Sequence, residues 1–244
     1  MAIKHPDYSK SWNETYGLNK DPVRQNLIFP LIKERVIRLN HTFIADLGCG
    51  NGSMIRNLLE VDFNKLHGID INTAFLEYAK RAVNDDRVII ERGDIIRENP
   101  IRTGSTDIAL AIFVLNEIEE IVPFFAQSRR ILSPLGRLLI VMTHPFVPLY
   151  WKILEDNNVA INEKVPGFSD YFKYGEYHYK FTISKDFGKY CHYNLAMIQD
   201  AINKTDMRII ELRELTTDDQ AFNQIPEYLR TKDIPKFLYL EVGR

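Results

Sequence analysis

The stretch that decides the fold is an apolar strand running directly into a glycine-rich turn, Phe43-Ile44-Ala45-Asp46-Leu47-Gly48-Cys49-Gly50-Asn51-Gly52. Glycines in such a turn let a ligand approach the backbone closely. Their spacing is G-x-G-x-G, whereas the dinucleotide fingerprint G-x-G-x-x-G leaves a helix N-terminus for a pyrophosphate. Asp46 stands just before the turn, where its charge would repel a pyrophosphate and attract an ammonium or sulfonium. The turn therefore favours an amino-acid nucleoside that carries positive charge.

Two further acids follow predicted strands. The second strand ends in Gly68-Ile69-Asp70, which places a carboxylate where it can accept hydrogen bonds from both hydroxyls of a ribose. Asp94 likewise comes just after the predicted third strand, at the same edge of the sheet. Either acid alone could be an ordinary loop residue, but the glycine turn and the strand order together favour a binding role. Cys49 is interpreted as a small turn residue rather than a nucleophile.

The rest of the chain shows the alternation that accompanies such a turn. Short β-branched runs alternate with segments of helical period, as in βαβ units around a parallel sheet. We predict strands at residues 43–46, 66–69, 87–91, 107–113 and 137–143, with helices at 53–60, 73–83, 118–132 and 195–203. Residues 133–136 are predicted as a turn, and residues 208–212 and 237–242 as a closing antiparallel pair. The expected fold is α/β, a doubly wound, Rossmann-like arrangement with a seven-stranded, mostly parallel sheet.

Residues 1–40 are predicted to form a helical arm. The segment 22–39 has helical spacing, with Asp21 at the N-cap and Pro22 at the first helical position. Ahead of it Tyr8, Trp12 and Tyr16 are spaced to share one helical face. This aromatic stripe either packs the arm on the core or forms a lid that also touches ligand.

Residues 145–190 break the alternation and are too long for an ordinary connection, which spans roughly 2 to 6 residues. The segment is rich in Phe, Tyr and Trp, side chains suited to an apolar pocket with a few polar groups. We predict a substrate cap, with a satellite core or a dimer contact as the alternative. The binding domain would then comprise residues 41–144 and 191–244.

Composition limits the choice of ligand and location. The 244 residues carry 31 Lys and Arg against 33 Asp and Glu, a net charge of -2, so no global positive field would gather nucleic acid or an anionic membrane. A small, roughly neutral acceptor fits better. The first residues lack the apolar core of a signal peptide, and no apolar run could span a bilayer, so we expect a soluble, cytoplasmic protein. A monomer or a homodimer is expected. With Cys49 and Cys191 alone, neither a disulfide framework nor a metal site is expected.

These motifs resemble the cofactor-binding motifs of class I S-adenosylmethionine-dependent methyltransferases of the small-molecule type. The likeness runs from about residue 46 to residue 142 and continues more weakly to the C-terminus, with Leu135 departing from the family's usual glycine. It implies S-adenosylmethionine as cofactor and methyl transfer to an oxygen or nitrogen of a small organic acceptor, for which an aromatic or heterocyclic compound is one candidate. The residues it implies at the cofactor are Asp46, Gly48 and Gly50 for methionine, Asp70 for ribose, Ile71, Asp94 and Ile95 for adenine, and Phe113 and Asn116 near the methionine and acceptor. Cys49, inside the glycine turn, and Trp12 and Tyr16, from the lid alternative of the arm, are further candidate cofactor-binding residues.

Methyl transfer from a sulfonium is an in-line displacement, so alignment and exclusion of water are the main tasks. A hydroxyl or protonated amine would also benefit from a base. The candidate catalytic residues are His144, and His192 with Tyr193, positions that also resemble the acceptor pocket of a subset of this family. His178, Asn116 and Glu117 are weaker candidates. The alternative for each histidine is a structural hydrogen-bonding role.

Other functions fit the sequence less well. An RNA or protein methyltransferase would show a localised basic face, but residues 145–190 mix lysines with acids. Methylases of base amines resemble one another in an Asn/Asp-Pro-Pro-aromatic loop, whereas this chain has Phe113-Val114-Leu115-Asn116 at that place. Base-carbon methylation would use a nucleophilic cysteine, and neither cysteine of this chain stands in such a context. An inactive cofactor-binding partner module would lack a closed acceptor pocket.

Overall fold

The computed structural model describes residues 10, 21–39, 43–97, 99–147, 171–172, 175–180, 187–217 and 233–244. Its strands are β1 (Phe43–Leu47), β2 (Lys65–Asp70), β3 (Val88–Arg92), β4 (Thr106–Ile112), β5 (Leu132–Thr143), β6 (Gly175–Lys180), β7 (Phe187–His192), β8 (Arg208–Leu215) and β9 (Phe237–Gly243). Its α-helices are α1 (Phe29–Leu39), α2 (Ser53–Leu58), α3 (Thr73–Ala82), α4 (Ile121–Ile131) and α5 (Leu195–Asn203). A π-helical turn, Arg24–Ile28, leads into α1, and a 3-10 turn, Leu115–Glu117, follows β4.

Seven strands form one sheet in the order β3-β2-β1-β4-β5-β9-β8. Strands β1 to β5 are parallel, and β9 pairs antiparallel with both β5 and β8, so it runs against the other six strands. The predicted doubly wound, mostly parallel sheet and its closing antiparallel pair are confirmed. The order reverses between β1 and β4, and in open α/β sheets this crevice beyond the strands' carboxyl ends is where ligands bind.

The predicted turn at residues 133–136 is wrong, because these residues belong to β5. The register against β4 steps from Thr106↔Leu132 to Ile108↔Arg137, so the four residues form a bulge inside the strand. A Cβ at Gly136 would lie 2.8 Å from the carbonyl oxygen of Thr106, so the bulge packs too tightly for a side chain there. The predicted helix 118–132 starts at Ile121 instead, after the 3-10 turn.

Two apolar cores cover the two faces of the sheet, as a parallel sheet requires. One core includes Phe124 and Phe125 of α4 and residues of α5, all packed on the sheet. The other includes Ile32 of α1 and Ile55 of α2. This three-layer packing fixes the carboxyl ends of the strands and the turns beyond them.

The antiparallel pair β6 and β7 lies largely within the segment predicted as a cap and extends to His192. Most of that segment lies outside the described residues, as do Tyr8, Trp12 and Tyr16, and the side chain of His178 in β6. The domain division therefore stays a prediction. None of the helices in the described ranges combines the length and the apolar character needed to cross a membrane.

A buried ion cluster ties α1 to the sheet. Glu241 of β9 is 1% exposed, with Arg35 Nη2 at 2.5 Å from one carboxylate oxygen and Arg137 Nε at 3.3 Å from the other. Removing one member of a buried ion pair leaves uncompensated charge in a low-dielectric environment. Glu241 therefore holds two arginines from different elements against the same strand.

We expect Glu241→Gln to lower the free energy of unfolding by roughly 3 kcal/mol, because Arg35 and Arg137 lose their shared carboxylate. Urea denaturation would measure it. The control is Glu34→Gln, whose ion pair with Arg38 is exposed and should contribute less than about 0.5 kcal/mol. Equal losses in the two variants would contradict a special role for the buried cluster.

Candidate functional site

A cleft of about 1230 Å³ opens at the carboxyl ends of β1, β2 and β4. Its described wall comes from the glycine turn, the ends of β2, β3 and β4, and the π-helical turn before α1. The predicted cofactor residues found in this wall are Asp46, Gly48, Cys49, Gly50, Asp70, Ile71, Asp94, Ile95, Phe113 and Asn116. The structure thus brings together residues up to 70 positions apart in the chain. Trp12 and Tyr16 lie outside the described residues, and the binding roles stay predictions.

The glycine turn is held in a conformation that other residues rarely adopt. Gly48, Gly50 and Gly52 have φ values of 77°, 53° and 78°, in the left-handed region. The backbone N–H groups of Gly48 and Cys49 both donate to the Ile69 carbonyl, at 2.8 and 2.9 Å. A Cβ at Gly48 would lie 2.4 Å from Val114 Cγ2, whereas nothing lies within 4 Å of one at Gly50. The turn therefore packs against the end of β4 at Gly48 and is open at Gly50.

Asp70 fastens this turn to the end of β2. Its Oδ2 accepts a hydrogen bond from Gly50 N at 2.8 Å, and its Oδ1 accepts one from Asn72 N at 2.8 Å. Each carboxylate oxygen has a second lone pair. The carboxylate is consequently fixed in orientation while it can still accept hydrogen bonds from a ligand in the cleft.

Asp46 is the buried acid of the site. It is 2% exposed, and its Oδ2 has no hydrogen-bond partner in the described part of the chain. Burial, with a smaller contribution from the charge of Asp70, raises the pKa of Asp46 from 3.8 to about 7. A buried carboxylate of this kind is stabilised by a nearby cation. Burial also raises the pKa of the Cys49 thiol well above its ordinary value, which agrees with a turn residue rather than a thiolate nucleophile.

The described wall of the cleft is acidic. Its seven carboxylates outnumber its three arginines. The acids are Asp21, Asp46, Asp70, Asp94, Glu117, Glu119 and Glu120, and the arginines are Arg24, Arg92 and Arg97. This balance disfavours a polyphosphate ligand and favours one with positive charge.

An apolar and acidic corner lies beyond β2 and β3. Ile71 is 49% exposed although it is a large aliphatic residue, and its carbonyl accepts a hydrogen bond from Arg92 Nε at 3.4 Å. Asp94 Oδ1 accepts a hydrogen bond from Ile96 N at 3.0 Å, and Arg97 Nε lies 3.6 Å from its other oxygen. An exposed aliphatic surface beside an oriented carboxylate suits a flat ring that carries an amino group.

The end of β4 supplies a strained aromatic and a buried amide. Phe113 has φ 59°, which is unusual for a bulky residue, and its ring packs edge-on against Phe237 at 5.5 Å. Asn116 Oδ1 accepts a hydrogen bond from Thr143 N at 2.9 Å, while its Nδ2 has no partner among the described residues. Asn116 therefore offers an oriented hydrogen-bond donor at the cleft.

Arg24 is a cleft residue that the sequence analysis missed. It pairs with Asp21, and its guanidinium lies 4.7 Å from the centroid of the Phe113 ring. The Asp21 N-cap is confirmed, since the backbone N–H groups of Val23 and Arg24 both donate to Asp21 Oδ1. The π-helical turn that follows has no signal in the apolar pattern, so the direction of Arg24 could not be predicted.

The three candidate catalytic residues do not line the described wall of the cleft. His144 is fully buried, with Nε2 at 3.0 Å from Glu214 Oε1 and Nδ1 accepting from Phe146 N. Burial lowers the pKa of His144, although Glu214 opposes the shift. His192 Nε2 contacts the Tyr171 carbonyl at 3.1 Å, and the Tyr193 hydroxyl donates to the Ile118 carbonyl at 2.6 Å. These contacts are of the structural kind, and catalysis by these residues stays a prediction.

Comparisons with known proteins agree with this geometry. Residues 45–140 match the family model described as a methyltransferase domain. The crystal structure of an S-adenosylmethionine-dependent methyltransferase from Mesorhizobium loti superposes with a TM-score of 0.72 at 21% identity, covering 93% of this chain and 100% of that one.

Two curated relatives match over shorter stretches. A 37.1 kDa protein of transposon TN4556 from Streptomyces fradiae is 35% identical over 98 residues, which are 39% of this chain and 28% of that protein. Ribosomal RNA small subunit methyltransferase A of Prochlorococcus marinus is 26% identical over 100 residues, 41% of this chain and 34% of the relative. The chain thus spans about a third of the length of these relatives. The family match over residues 45–140 and the fold agree with the prediction of a class I S-adenosylmethionine-dependent methyltransferase.

We expect Gly48→Ala to destabilise the protein more than Gly50→Ala. Both substitutions place a Cβ on a left-handed residue, at a cost of about 1 kcal/mol, but only Gly48→Ala also meets Val114. The total at Gly48 should reach roughly 2 to 4 kcal/mol in the free energy of unfolding. Thermal denaturation of the two variants side by side would measure the difference, and equal melting temperatures would contradict the packing argument.

Asp46→Asn should stabilise the ligand-free protein at pH 8. The folded-state pKa is raised, so ionised Asp46 opposes folding above pH 7, and this penalty fades as the pH falls below 7 toward 3.8. The gain at pH 8 has an upper bound of about 4 kcal/mol and should shrink toward zero at pH 4. Melting temperatures of wild type and variant across this range would measure it, and a pH-independent difference would overturn the argument.

Proposed function

We propose that the protein transfers a methyl group from S-adenosylmethionine to an oxygen or nitrogen of a small organic acceptor, with aromatic and heterocyclic compounds as the first class to test. The observation that carries the proposal is the juxtaposition of two carboxylates in one cleft. Asp46 is buried and lacks a hydrogen-bond partner for Oδ2 among the described residues, while Asp70 is fixed by two backbone N–H groups. A ligand with a cation near the first and a ribose near the second satisfies both.

The remaining residues would hold the cofactor as follows. The open, left-handed backbone at Gly50 leaves room for the methionine chain. The exposed aliphatic surface of Ile71 and the carboxylate of Asp94 would receive the adenine and its amino group, with Ile95 beside them. The position of Asp46 supports a contact with the ammonium group, because this carboxylate is the most deeply buried acid of the cleft.

Bound S-adenosylmethionine supplies an electrophilic methyl group on a sulfonium. The chain's own task is to align the acceptor with that methyl and to exclude water. Asn116 Nδ2 would orient an acceptor through a lone pair of an oxygen or nitrogen. Of the predicted base candidates, Glu117 lines the cleft and could receive the acceptor's proton. His144 and His192 are fully buried and do not belong to the described cleft wall.

The segment 145–190 is proposed as the cap over the acceptor. Tyr190, at its end, lines the cleft. Phe146 stacks on Tyr171 with ring centroids 5.0 Å apart, so the start of the segment contacts a later part of it. The cleft-lining Tyr190 and the stacked pair of Phe146 and Tyr171 support a lining role for the segment.

RNA is the second candidate acceptor, because one curated relative is a ribosomal RNA methyltransferase. The exposed glutamates of the cleft wall argue against it, since they would repel a phosphate backbone. They are Glu117, Glu119 and Glu120. The two candidates can be separated by offering labelled S-adenosylmethionine with a small-molecule extract or with total RNA. Label in the small-molecule fraction supports the proposal. Label in RNA, falling steeply between about 50 and 200 mM salt, would replace it with the RNA reaction.

We expect the purified chain to bind S-adenosylmethionine and S-adenosylhomocysteine in the micromolar range, and Asp70→Ala to weaken both by about 10- to 100-fold. The variant loses the ribose acceptor and the anchor of the glycine turn together. Calorimetry would measure the affinities, with Asp86→Ala, an exposed acid outside the described cleft wall, as the matched control. Failure of the wild-type chain to bind either ligand would remove the methyltransferase proposal.

A further inference from the structure

Residues 190–194 join the cleft wall to the segment proposed as the cap. We call this run the junction segment; it comprises the last three residues of β7 and the two residues before α5, all five of them buried. Successive side chains of extended backbone point to opposite sides. Tyr193 stands between His192 and Asn194, so its hydroxyl can reach a different element from the one that its two neighbours contact.

On one side, the junction segment holds the carbonyl oxygen of Tyr171. His192 Nε2 and Asn194 Nδ2 each lie 3.1 Å from this oxygen. A carbonyl oxygen only accepts, so Nε2 of His192 carries the proton in this contact. Asn194 also caps α5, because its Oδ1 accepts the N–H of Met197 at 2.9 Å. Tyr171 is thereby fixed to the start of a helix that packs in the core.

On the other side, the junction segment holds the loop after β4. The Tyr193 hydroxyl donates to the Ile118 carbonyl at 2.6 Å, and both residues are buried. Ile118 directly follows Glu117, which lines the cleft. The same loop is held a second time where Asn116 Oδ1 accepts the N–H of Thr143 at 2.9 Å. Hydrogen bonds from two other elements thus fix the backbone that presents residues 116 and 117 to the cleft.

We propose that the junction segment positions the acceptor side of the cleft for methyl transfer, an inference that rests on the proposed function. Tyr193 fixes the loop that carries Asn116 and Glu117, the residues proposed to orient the acceptor and to receive its proton. His192 acts through the Tyr171 carbonyl and is a positioning residue, not the base.

The cofactor side of the cleft is held by a different set of hydrogen bonds. The glycine turn is fixed by the Ile69 carbonyl and by Asp70, on the opposite side of β1 from β4. Loss of one junction contact therefore disturbs the alignment of the acceptor and leaves the affinity for S-adenosylmethionine largely unchanged.

The first test removes a single hydroxyl. Tyr193→Phe is compared with wild type and with Tyr78→Phe, a half-buried tyrosine of α3 outside the described cleft wall. In the ligand-free chain, hydrogen exchange at the N–H groups of Glu117 and Ile118, which close the 3-10 turn, should become about 10-fold faster in Tyr193→Phe alone. Exchange in the glycine turn, residues 48–52, should not change.

The same variants are then compared in binding and transfer. The calorimetric affinity of Tyr193→Phe for S-adenosylmethionine should stay within about twofold of wild type. The maximal rate of label transfer, measured over a dilution series of the small-molecule extract, should fall about 10- to 100-fold, because a misplaced acceptor loses its alignment with the methyl group. Tyr78→Phe should match wild type in both measurements.

The second test separates positioning from base catalysis at His192. His192→Gln keeps a side-chain N–H that can donate to the Tyr171 carbonyl, whereas His192→Leu does not. We expect transfer within about threefold of wild type for His192→Gln, with an unchanged pH dependence, and a loss of about 10-fold or more for His192→Leu. If His192→Leu does not fold, Tyr193→Phe and His192→Gln decide the question.

Three outcomes would overturn the inference. Unchanged exchange at Glu117 and Ile118 in Tyr193→Phe would show that the hydroxyl does not hold the loop, and a loss of S-adenosylmethionine affinity as large as the loss of transfer would show a general structural role. A loss in His192→Gln as large as that in His192→Leu would make His192 the base. A wild-type chain that binds no S-adenosylmethionine would instead remove the proposed function. The exchange measurement needs no ligand, so the two failures can be told apart.

Discussion

The hydrogen bond from Gly50 N–H to Asp70 Oδ2, at 2.8 Å, is the interaction on which the rest of the site depends. It joins the turn after β1 to the end of β2, and the same turn is fixed from its other side by two N–H groups on the Ile69 carbonyl. β1 and β2 are parallel neighbours, and these bonds require the register that pairs Leu47 with Ile69. The sheet thereby sets both the shape of the turn and the direction of the carboxylate that would meet a ribose.

The same arrangement makes Asp46 costly to ionise. The turn buries this carboxylate against the sheet, and Asp70, which must stay close to anchor the turn, adds a second negative charge nearby. A bound cation would relieve both effects, because it interacts favourably with each acid. The structural demand of the turn and the binding demand of the cleft therefore point to the same kind of ligand, one with positive charge near β1.

Much of this could be predicted from the sequence, because the alternation of strand and helix periods and the glycine turn are visible in short stretches of the chain. The β1 turn, Asp70 and Asp94 fall in one cleft because parallel strands end at one edge. The bulge at residues 133–136 was predicted as a turn, because a Ser-Pro-Leu-Gly sequence suits a turn between elements as well as a bulge inside a strand. Arg24 and the burial of His144 were not predictable, because a π-helical turn and the packing of one histidine beside Glu214 leave no periodic trace.

The acidity of the cleft bears on turnover as well as on recognition. Under the proposed reaction the cofactor loses its methyl group and, with it, the positive charge on sulfur, while the rest of the molecule is unchanged. Seven carboxylates against three arginines in the described wall interact more favourably with the charged sulfonium than with the neutral thioether. Contacts to the ribose, adenine and amino-acid group are the same before and after transfer and so cannot distinguish the two. In the proposed reaction, the excess negative charge would therefore favour binding of the methyl donor over its product.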